Sequence, residues 1–79
     1  MYAFQETDCV TVVKLLAPAR QFTSGKGRGR PPAVGDSGVV VTVHERDGRP
    51  VNYIVECVDA HGTTVWLADF EPGELELAY

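Results

Sequence analysis

Residues 34–58 read VGDSGVVVTVHERDGRPVNYIVECV, and this stretch decides the fold of the chain. Its two runs rich in β-branched and aromatic residues, 39–44 and 51–58, are typical of β-strands. The segment between them contains Asp47-Gly48, a dipeptide that favours a tight hairpin turn. We therefore expect an antiparallel hairpin, to which the rest of the chain adds further strands.

Three more segments predict strands around this hairpin. Residues 9–16 (CVTVVKLL) and 63–70 (TTVWLADF) are β-branched and apolar, and residues 75–79 (LELAY) alternate apolar with polar. Pro72 is well placed to begin a short helical turn. Gly35 is expected to need a positive φ, and Gly38 to mark a bulge or a close backbone crossing. Five short strands without a helix-period segment predict an all-β small barrel or sandwich.

The totals of the chain favour one small domain. It has 79 residues, of which 44% are hydrophobic, which is ordinary for a globular protein. Residues 1–8 do not resemble a signal peptide, and no apolar run approaches the length of a bilayer span, so we expect a cytoplasmic protein with no membrane partner. Cys9 and Cys57 lie in apolar runs, which indicates buried reduced thiols; a disulfide needs neighbouring strands and an oxidising compartment.

A basic loop interrupts this acidic chain at residues 17–33, APARQFTSGKGRGRPPA. Its prolines and alternating glycines prevent a regular ladder, so we expect a flexible loop. The net charge is −4, and four basic residues of the loop leave a balance of −8 on the remainder. These residues are Arg20, Lys26, Arg28 and Arg30. Such a block is typical of a solvated segment or of an interaction arm.

Arg28-Gly29-Arg30-Pro31 resembles the core of an AT-hook, a short peptide that lies in the minor groove of A·T-rich DNA. Glycine keeps the backbone slim, and arginines can reach into the narrow, negative groove. Lys26 and Arg20 could add phosphate contacts. The acidic remainder would repel a duplex, so a solvated loop and a protein-docking arm remain alternatives to nucleic-acid binding.

No residue pattern predicts catalysis, a cofactor or a metal. His44 and His61 fall at strand ends or turns in no ligand spacing, so exposed histidines are expected. Glu71, Glu74 and Glu76 are expected to form a solvated face, because paired carboxylates do acid–base work only in a desolvated cleft. We therefore predict a protein that is not an enzyme.

Several segments together resemble a small bacterial family of uncharacterised proteins. They are VGDSGVV at 34–40, YIVECVD at 53–59, GTT at 62–64, Leu75 and the opening strand at 9–16, about four fifths of the chain. The resemblance implies a five-stranded SH3-like barrel and no established activity. Cys57 replaces the usual Phe, and the loop 17–33 is longer and more basic than usual. Members occur in mobile (integron) gene cassettes and beside predicted toxin genes, an association that suggests an antitoxin or immunity role.

Strand alternation divides the apolar residues between two faces. The expected inward sets are Val39, Val41 and Val43; Tyr53, Val55 and Cys57; and Val65 and Leu67. The opposite face would then carry Val40, Ile54, Val58, Trp66 and Phe70. A small monomeric barrel cannot bury both sets, and an exposed apolar patch usually marks an interface, so the pattern predicts a homo-oligomer.

Two aromatic residues offer another kind of surface. Trp66 and Tyr53 could line a peptide-binding groove on the barrel, or could instead fill the core or an oligomer interface. Taken together, the sequence predicts a non-enzymatic protein-interaction module, with an antitoxin- or immunity-like role toward a neighbouring protein. The alternative is nucleic-acid binding through the basic Gly/Arg loop.

Overall fold

The computed structural model describes residues 4–16, 20–25 and 29–78. In this part of the chain the regular elements are five strands and one 3-10 helix. The strands are β1 Cys9–Val12, β2 Ser37–Arg46, β3 Arg49–Val58, β4 Thr64–Phe70 and β5 Leu75–Leu77. The 3-10 helix Pro72–Glu74 connects β4 to β5, and Pro72 begins this helix, as the sequence predicted. No described helix has the length and apolar character needed to cross a membrane.

All five strands pair antiparallel in one sheet, in the order β4-β3-β2-β1-β5. The predicted hairpin is confirmed, because β2 and β3 pair from Val39 opposite Glu56 to Arg46 opposite Arg49. Its turn places Asp47 and Gly48 at φ 55° and 76°. Positive φ at both central residues is the turn geometry that Asp-Gly favours, so the local sequence sets the register of the hairpin.

The sheet curls around a single core. Buried apolar residues come from every strand and from the segment before β1: Phe4, Val10, Val12, Val40, Tyr53, Val55, Cys57, Trp66, Ala68, Phe70 and Leu75. The rings of Phe4 and Tyr53 pack edge to face with their centroids 5.1 Å apart, and those of Trp66 and Phe70 pack at a tilt of 54° with their centroids 5.3 Å apart. The predicted all-β fold is confirmed. The sheet is open, with β4 and β5 as its two edges.

A bulge in β2 changes which valines face the core. Val40 pairs with Val55 and Val43 pairs with Tyr53, so two residues of β2 stand opposite one residue of β3. Val40 is therefore fully buried, whereas Val39 and Val41 are exposed. The expectation that Val39 and Val41 face inward was wrong, because an extra residue in one strand reverses the alternation beyond it.

The face assignment of β4 was also wrong. Trp66, Ala68 and Phe70 point into the core, and Val65 and Leu67 are only partly buried. The larger apolar area lies on the Trp66 face, and burying it stabilises the fold more. Val40, Trp66 and Phe70 are thus 0%, 0% and 1% exposed within one protomer and are not available for the predicted oligomer interface.

The two cysteines have different environments. Both are free; Cys57 is buried, as expected, whereas the expectation of a buried Cys9 was wrong, because Cys9 lies on the face of β1 opposite the buried Val10. In β3 the predicted inward set is confirmed, because Tyr53, Val55 and Cys57 are all buried. Burial raises the pKa of the Cys57 thiol, and the nearby Asp36 carboxylate adds to this shift. Cys57 is therefore a protonated core residue at neutral pH.

Gly38 marks the close backbone crossing that the sequence predicted. A Cβ at this position would lie 2.5 Å from the carbonyl oxygen of Glu56 and 2.8 Å from the side chain of Val55. We predict that Gly38→Ala lowers the free energy of unfolding by about 1–3 kcal/mol, because the β2–β3 ladder must shift to make room. Urea unfolding followed by circular dichroism measures this loss.

The matched control is Gly73→Ala in the 3-10 helix, where the added Cβ has its nearest neighbour, a Lys14 side-chain atom, at 3.9 Å. Its stability should change by less than about 0.5 kcal/mol. Equal stability of the two alanine variants would contradict the close crossing at Gly38.

Candidate functional site

The described parts of the basic loop lie along the outer edge of β4. The Thr23 N–H donates to the Leu67 carbonyl at 3.0 Å, and the Leu67 N–H donates to the Thr23 carbonyl at 2.8 Å. Further along the loop, a Cβ on Gly29 would lie only 2.2 Å from the Val65 carbonyl oxygen. Glycine at this position therefore permits a contact that a side chain would prevent.

Arg20 fastens the start of the loop to a buried carboxylate. Glu74 is 1% exposed, and its Oε2 accepts hydrogen bonds from the Arg20 guanidinium and from the Leu16 N–H. Its Oε1 accepts the Glu71 N–H at 2.8 Å. Arg20 also donates to the Asp69 carbonyl and lies 4.4 Å over the Phe70 ring. Glu74 was wrongly expected on a solvated face, since only the folded chain brings Arg20 to it.

These contacts determine the charge state of Glu74. Burial alone would raise the pKa of Glu74, but the hydrogen bonds from Arg20 and from the N–H groups of Glu71 and Leu16 outweigh it. The pKa of Glu74 is therefore lowered, and the carboxylate stays ionised beside Arg20. A buried ion pair of this kind is costly to break, because the remaining charge has no partner.

Arg30 fastens the end of the loop to Asp36. Its guanidinium donates two hydrogen bonds to the carboxylate, at 2.7 and 2.9 Å. Asp36 also accepts the Ala33 N–H and the indole N–H of Trp66, each at 2.9 Å. The hydrogen bond from Arg30 is the main cause of the lowered pKa of Asp36; burial opposes it, and Trp66 and Ala33 reinforce it. One carboxylate thus joins the loop to the core indole.

Of the four residues predicted to bind nucleic acid, the structure describes Arg20 and Arg30. Arg20 and Arg30 already pair with carboxylates of the same chain. Lys26 and Arg28 lie outside the described residues. Two of the four basic residues that the sequence suggested as an interaction arm therefore form ion pairs within the chain.

A groove of about 520 Å³ lies between the loop and the outer face of β3 and β4. Its lining residues are Arg20, Gln21, Phe22, Thr23, Ile54, Leu67, Ala68 and Asp69. A smaller depression of about 190 Å³ continues from Arg20 and Asp69 toward Glu71 and Glu74. The groove therefore offers apolar side chains from Phe22, Ile54 and Leu67 next to an acidic end.

Only part of the predicted interface belongs to this outer face. Ile54 is half-buried and lines the groove, and Val58 is 51% exposed at the other end of β3. Tyr53 and Trp66 are fully buried, so of the alternatives left open for them they fill the core and do not line a peptide groove. The aromatic residue at the groove is Phe22, which is 37% exposed.

Sequence reasoning missed Phe22 and Leu67. Phe22 lies in a segment that reads as a loop, where a single aromatic residue gives no periodic signal. Leu67 was assigned to the core face. The spacing of Trp66, Ala68 and Phe70 could have indicated the core face of β4, because alternate residues place both large aromatic rings on one side of the strand.

The described residues supply little for catalysis or metal binding. No group of three or more His, Cys, Asp or Glu side chains in residues 4–16, 20–25 and 29–78 could hold a metal ion. His44 and His61 are both exposed. In the same ranges, no hydrogen bond joins a nucleophilic side chain of the groove to a base.

Comparisons with protein-family models, curated proteins and solved structures found no match to this chain. The resemblance to the small bacterial family stays a prediction, and function has to be argued from the geometry.

The two ion pairs of the loop should differ strongly in their effect on stability. Arg20→Met should lower the free energy of unfolding by about 3–5 kcal/mol, because it leaves the Glu74 carboxylate buried without a cation. Arg30→Met should cost no more than about 1 kcal/mol, because the Arg30 side chain is 52% exposed. Urea unfolding of both variants measures the difference, and equal losses would contradict the role assigned to Glu74.

Stability should fall in acid because the pKa values of Glu74 and Asp36 are lowered in the folded state. Such groups stabilise the fold above their unfolded pKa values, about 4.3 and 3.9, and this stability is lost as pH falls through the folded values. We expect a plateau above about pH 5 and a decline below it. Glu74→Gln should make the decline shallower in urea titrations from pH 7 to 3. An unchanged slope would show that Glu74 does not contribute.

Proposed function

We propose that the protein is a non-enzymatic protein-interaction module that binds an apolar, positively charged segment of a partner in the groove beside β4. The observation that carries this proposal is the 520 Å³ groove, which joins three apolar side chains to an acidic end. An apolar site with a few polar groups at its margin is typical of ligand and peptide recognition.

The charge of the chain indicates the sign of the partner. The net charge is −4, and both Arg20 and Arg30 are already paired with carboxylates. Asp69 and Glu71 are exposed at the groove and its continuation. A cationic partner would be drawn to this end of the groove, because complementary charges accelerate association and disfavour acidic competitors.

We further propose that the curled sheet is an SH3-like barrel. Phe70 of β4 and Leu75 of β5, from the two edge strands, lie in the same core. The 3-10 helix Pro72–Glu74 separates these strands by only a few residues. Both features support a sheet that is wound into a near-barrel around one core. The antitoxin- or immunity-like role would use the groove as its contact surface.

Nucleic-acid binding is the less favoured candidate. The minor-groove hypothesis needs arginines that can leave the protein surface, whereas Arg30 makes a bidentate contact with Asp36 and Arg20 pairs with the buried Glu74. Releasing either arginine would expose an unpaired carboxylate to the phosphates. An A·T-rich duplex therefore serves below as a probe that should not bind.

The experiment is selection of displayed random 12-residue peptides against the wild-type protein. We predict enrichment of peptides that combine apolar residues with Arg or Lys. Leu67→Glu should weaken their binding by more than about tenfold, because it places a charge among the apolar side chains of the groove. Isothermal titration calorimetry of the selected peptides measures the affinities.

The matched control is Val58→Glu, at an exposed valine on the same strand face as Ile54 but outside the groove. This variant should bind the peptides like the wild type. Absence of enrichment, equal loss in both variants, or tight salt-sensitive binding of the A·T-rich duplex would overturn the proposal. Sedimentation of the wild type in parallel reports whether a second copy occupies the groove instead.

A further inference from the structure

The outer edge of β4 presents the backbone groups of two residues away from β3. The N–H and C=O of Leu67 point away from β3, since both are bonded to Thr23. Backbone groups alternate sides along an antiparallel strand, so the N–H and C=O of Asp69 face the same outer edge, whereas a bulge at Val65 interrupts the alternation toward Thr64. Such an edge is a template on which another extended segment can pair.

The chain's own loop covers this edge at one backbone pair. Thr23 forms the two reciprocal hydrogen bonds to Leu67, and among the described residues no other loop backbone group pairs with β4. The Asp69 carbonyl accepts a hydrogen bond from a side chain, the guanidinium of Arg20. The segment Arg20–Thr23 thus pairs like an added strand over a single residue pair, although β4 offers two outward-facing residues, Leu67 and Asp69.

The docked segment shows what chemistry the edge accepts. An extended backbone at Thr23 pairs with Leu67, and Phe22 contributes an apolar side chain beside Leu67 and Ile54. Three residues before Thr23, Arg20 neutralises the buried Glu74. A competing segment must supply the same cation, because the Glu74 carboxylate would otherwise be buried without a partner.

We propose that the β4 edge is a strand-addition site, which the segment Arg20–Thr23 occupies in the free protein and an extended partner segment takes over on binding. The partner carries Arg or Lys, followed two residues later by an apolar side chain and three residues later by the residue that pairs with Leu67. This proposal rests on the proposed function and specifies how the partner binds. Pairing with both Leu67 and Asp69 gives the partner more backbone hydrogen bonds than the loop makes.

The test uses Thr23→Pro, which removes the loop's donor to Leu67 while leaving Arg20 in place. Amide hydrogen exchange by NMR is the readout. In the variant the Leu67 N–H should exchange much faster than in the wild type, because the proline ring cannot approach the Leu67 carbonyl and the carbonyl of residue 23, which accepts the Leu67 N–H, moves away with it. The Trp66 and Ala68 amides face β3 and should stay protected, which reports that the sheet is intact. Thr23→Ala keeps the backbone donor and is the matched control.

The probe is a synthetic peptide with the sequence of residues 17–25, APARQFTSG. Added to Thr23→Pro, it should restore protection at Leu67 and also slow exchange at Asp69. Its affinity for Thr23→Pro should exceed that for the wild type by about tenfold or more, because the loop no longer competes. Failure of the peptide to protect Leu67 in Thr23→Pro at millimolar concentration would overturn the proposal.

A second variant tests the need for a cation. In Arg20→Gln/Thr23→Pro the peptide should raise the melting temperature, whereas the same peptide with Gln in place of its Arg should not. Equal effects of the two peptides would overturn the cation requirement. If the double variant does not fold alone, recovery of folded signal with the Arg peptide only is the same supporting result, and no recovery contradicts it.

These outcomes separate the two proposals. Peptides selected on the wild type that depend on Leu67 but do not protect the Leu67 and Asp69 amides would retain the interaction module and overturn strand addition. Absence of any selected peptide, together with protection by the loop peptide, would overturn the broader function and retain the edge as a site for a segment of a second copy.

Discussion

The ion pair between Arg20 and Glu74 is the contact on which the arrangement of this chain depends. Glu74 lies in the short connection between the two edge strands, and it is buried because β4, β5 and the end of β1 converge there. A carboxylate in that position needs hydrogen bonds on both oxygens and a cation, and the chain supplies all of them from three separate segments. The start of the basic loop is therefore tied to the body of the protein.

The second ion pair repeats this principle in a more solvated place. Asp36 joins Arg30 to Ala33 and to the indole of Trp66, so one carboxylate connects the end of the loop to the core. Two of the four cations of the basic loop are thus paired with carboxylates of the same chain. The described residues 20–23 lie beside β4, and this position creates the groove with Phe22 on one side and Leu67 on the other. The structural and binding roles of the loop arise from the same contacts.

The division of the sheet into two faces determines what remains for a partner. Trp66, Tyr53 and Phe70 are buried within one protomer, so the aromatic area that could have formed an interface stabilises the fold. The outer face retains smaller apolar side chains, such as Ile54, Val39 and Val41, with acidic residues among them. Such a surface suits a segment that contributes both apolar contact and positive charge, and β4 adds the backbone groups of an edge strand.

Much of the secondary structure was determined by the sequence itself. Runs of β-branched residues specify the strands, Asp47-Gly48 specifies the hairpin turn with both φ values positive, and Pro72 begins the 3-10 helix, because each is a local property of the backbone. Tertiary structure alone decided the faces of β2 and β4, since a single bulge reverses alternation and the larger aromatic area competes for the core. Tertiary structure also decided the partners of Arg20 and Arg30. Arg20 is separated from Glu74 by 54 positions, and no local sequence pattern predicts a contact between them. Local geometry can be read residue by residue, whereas burial and charge pairing exist only once the sheet has curled.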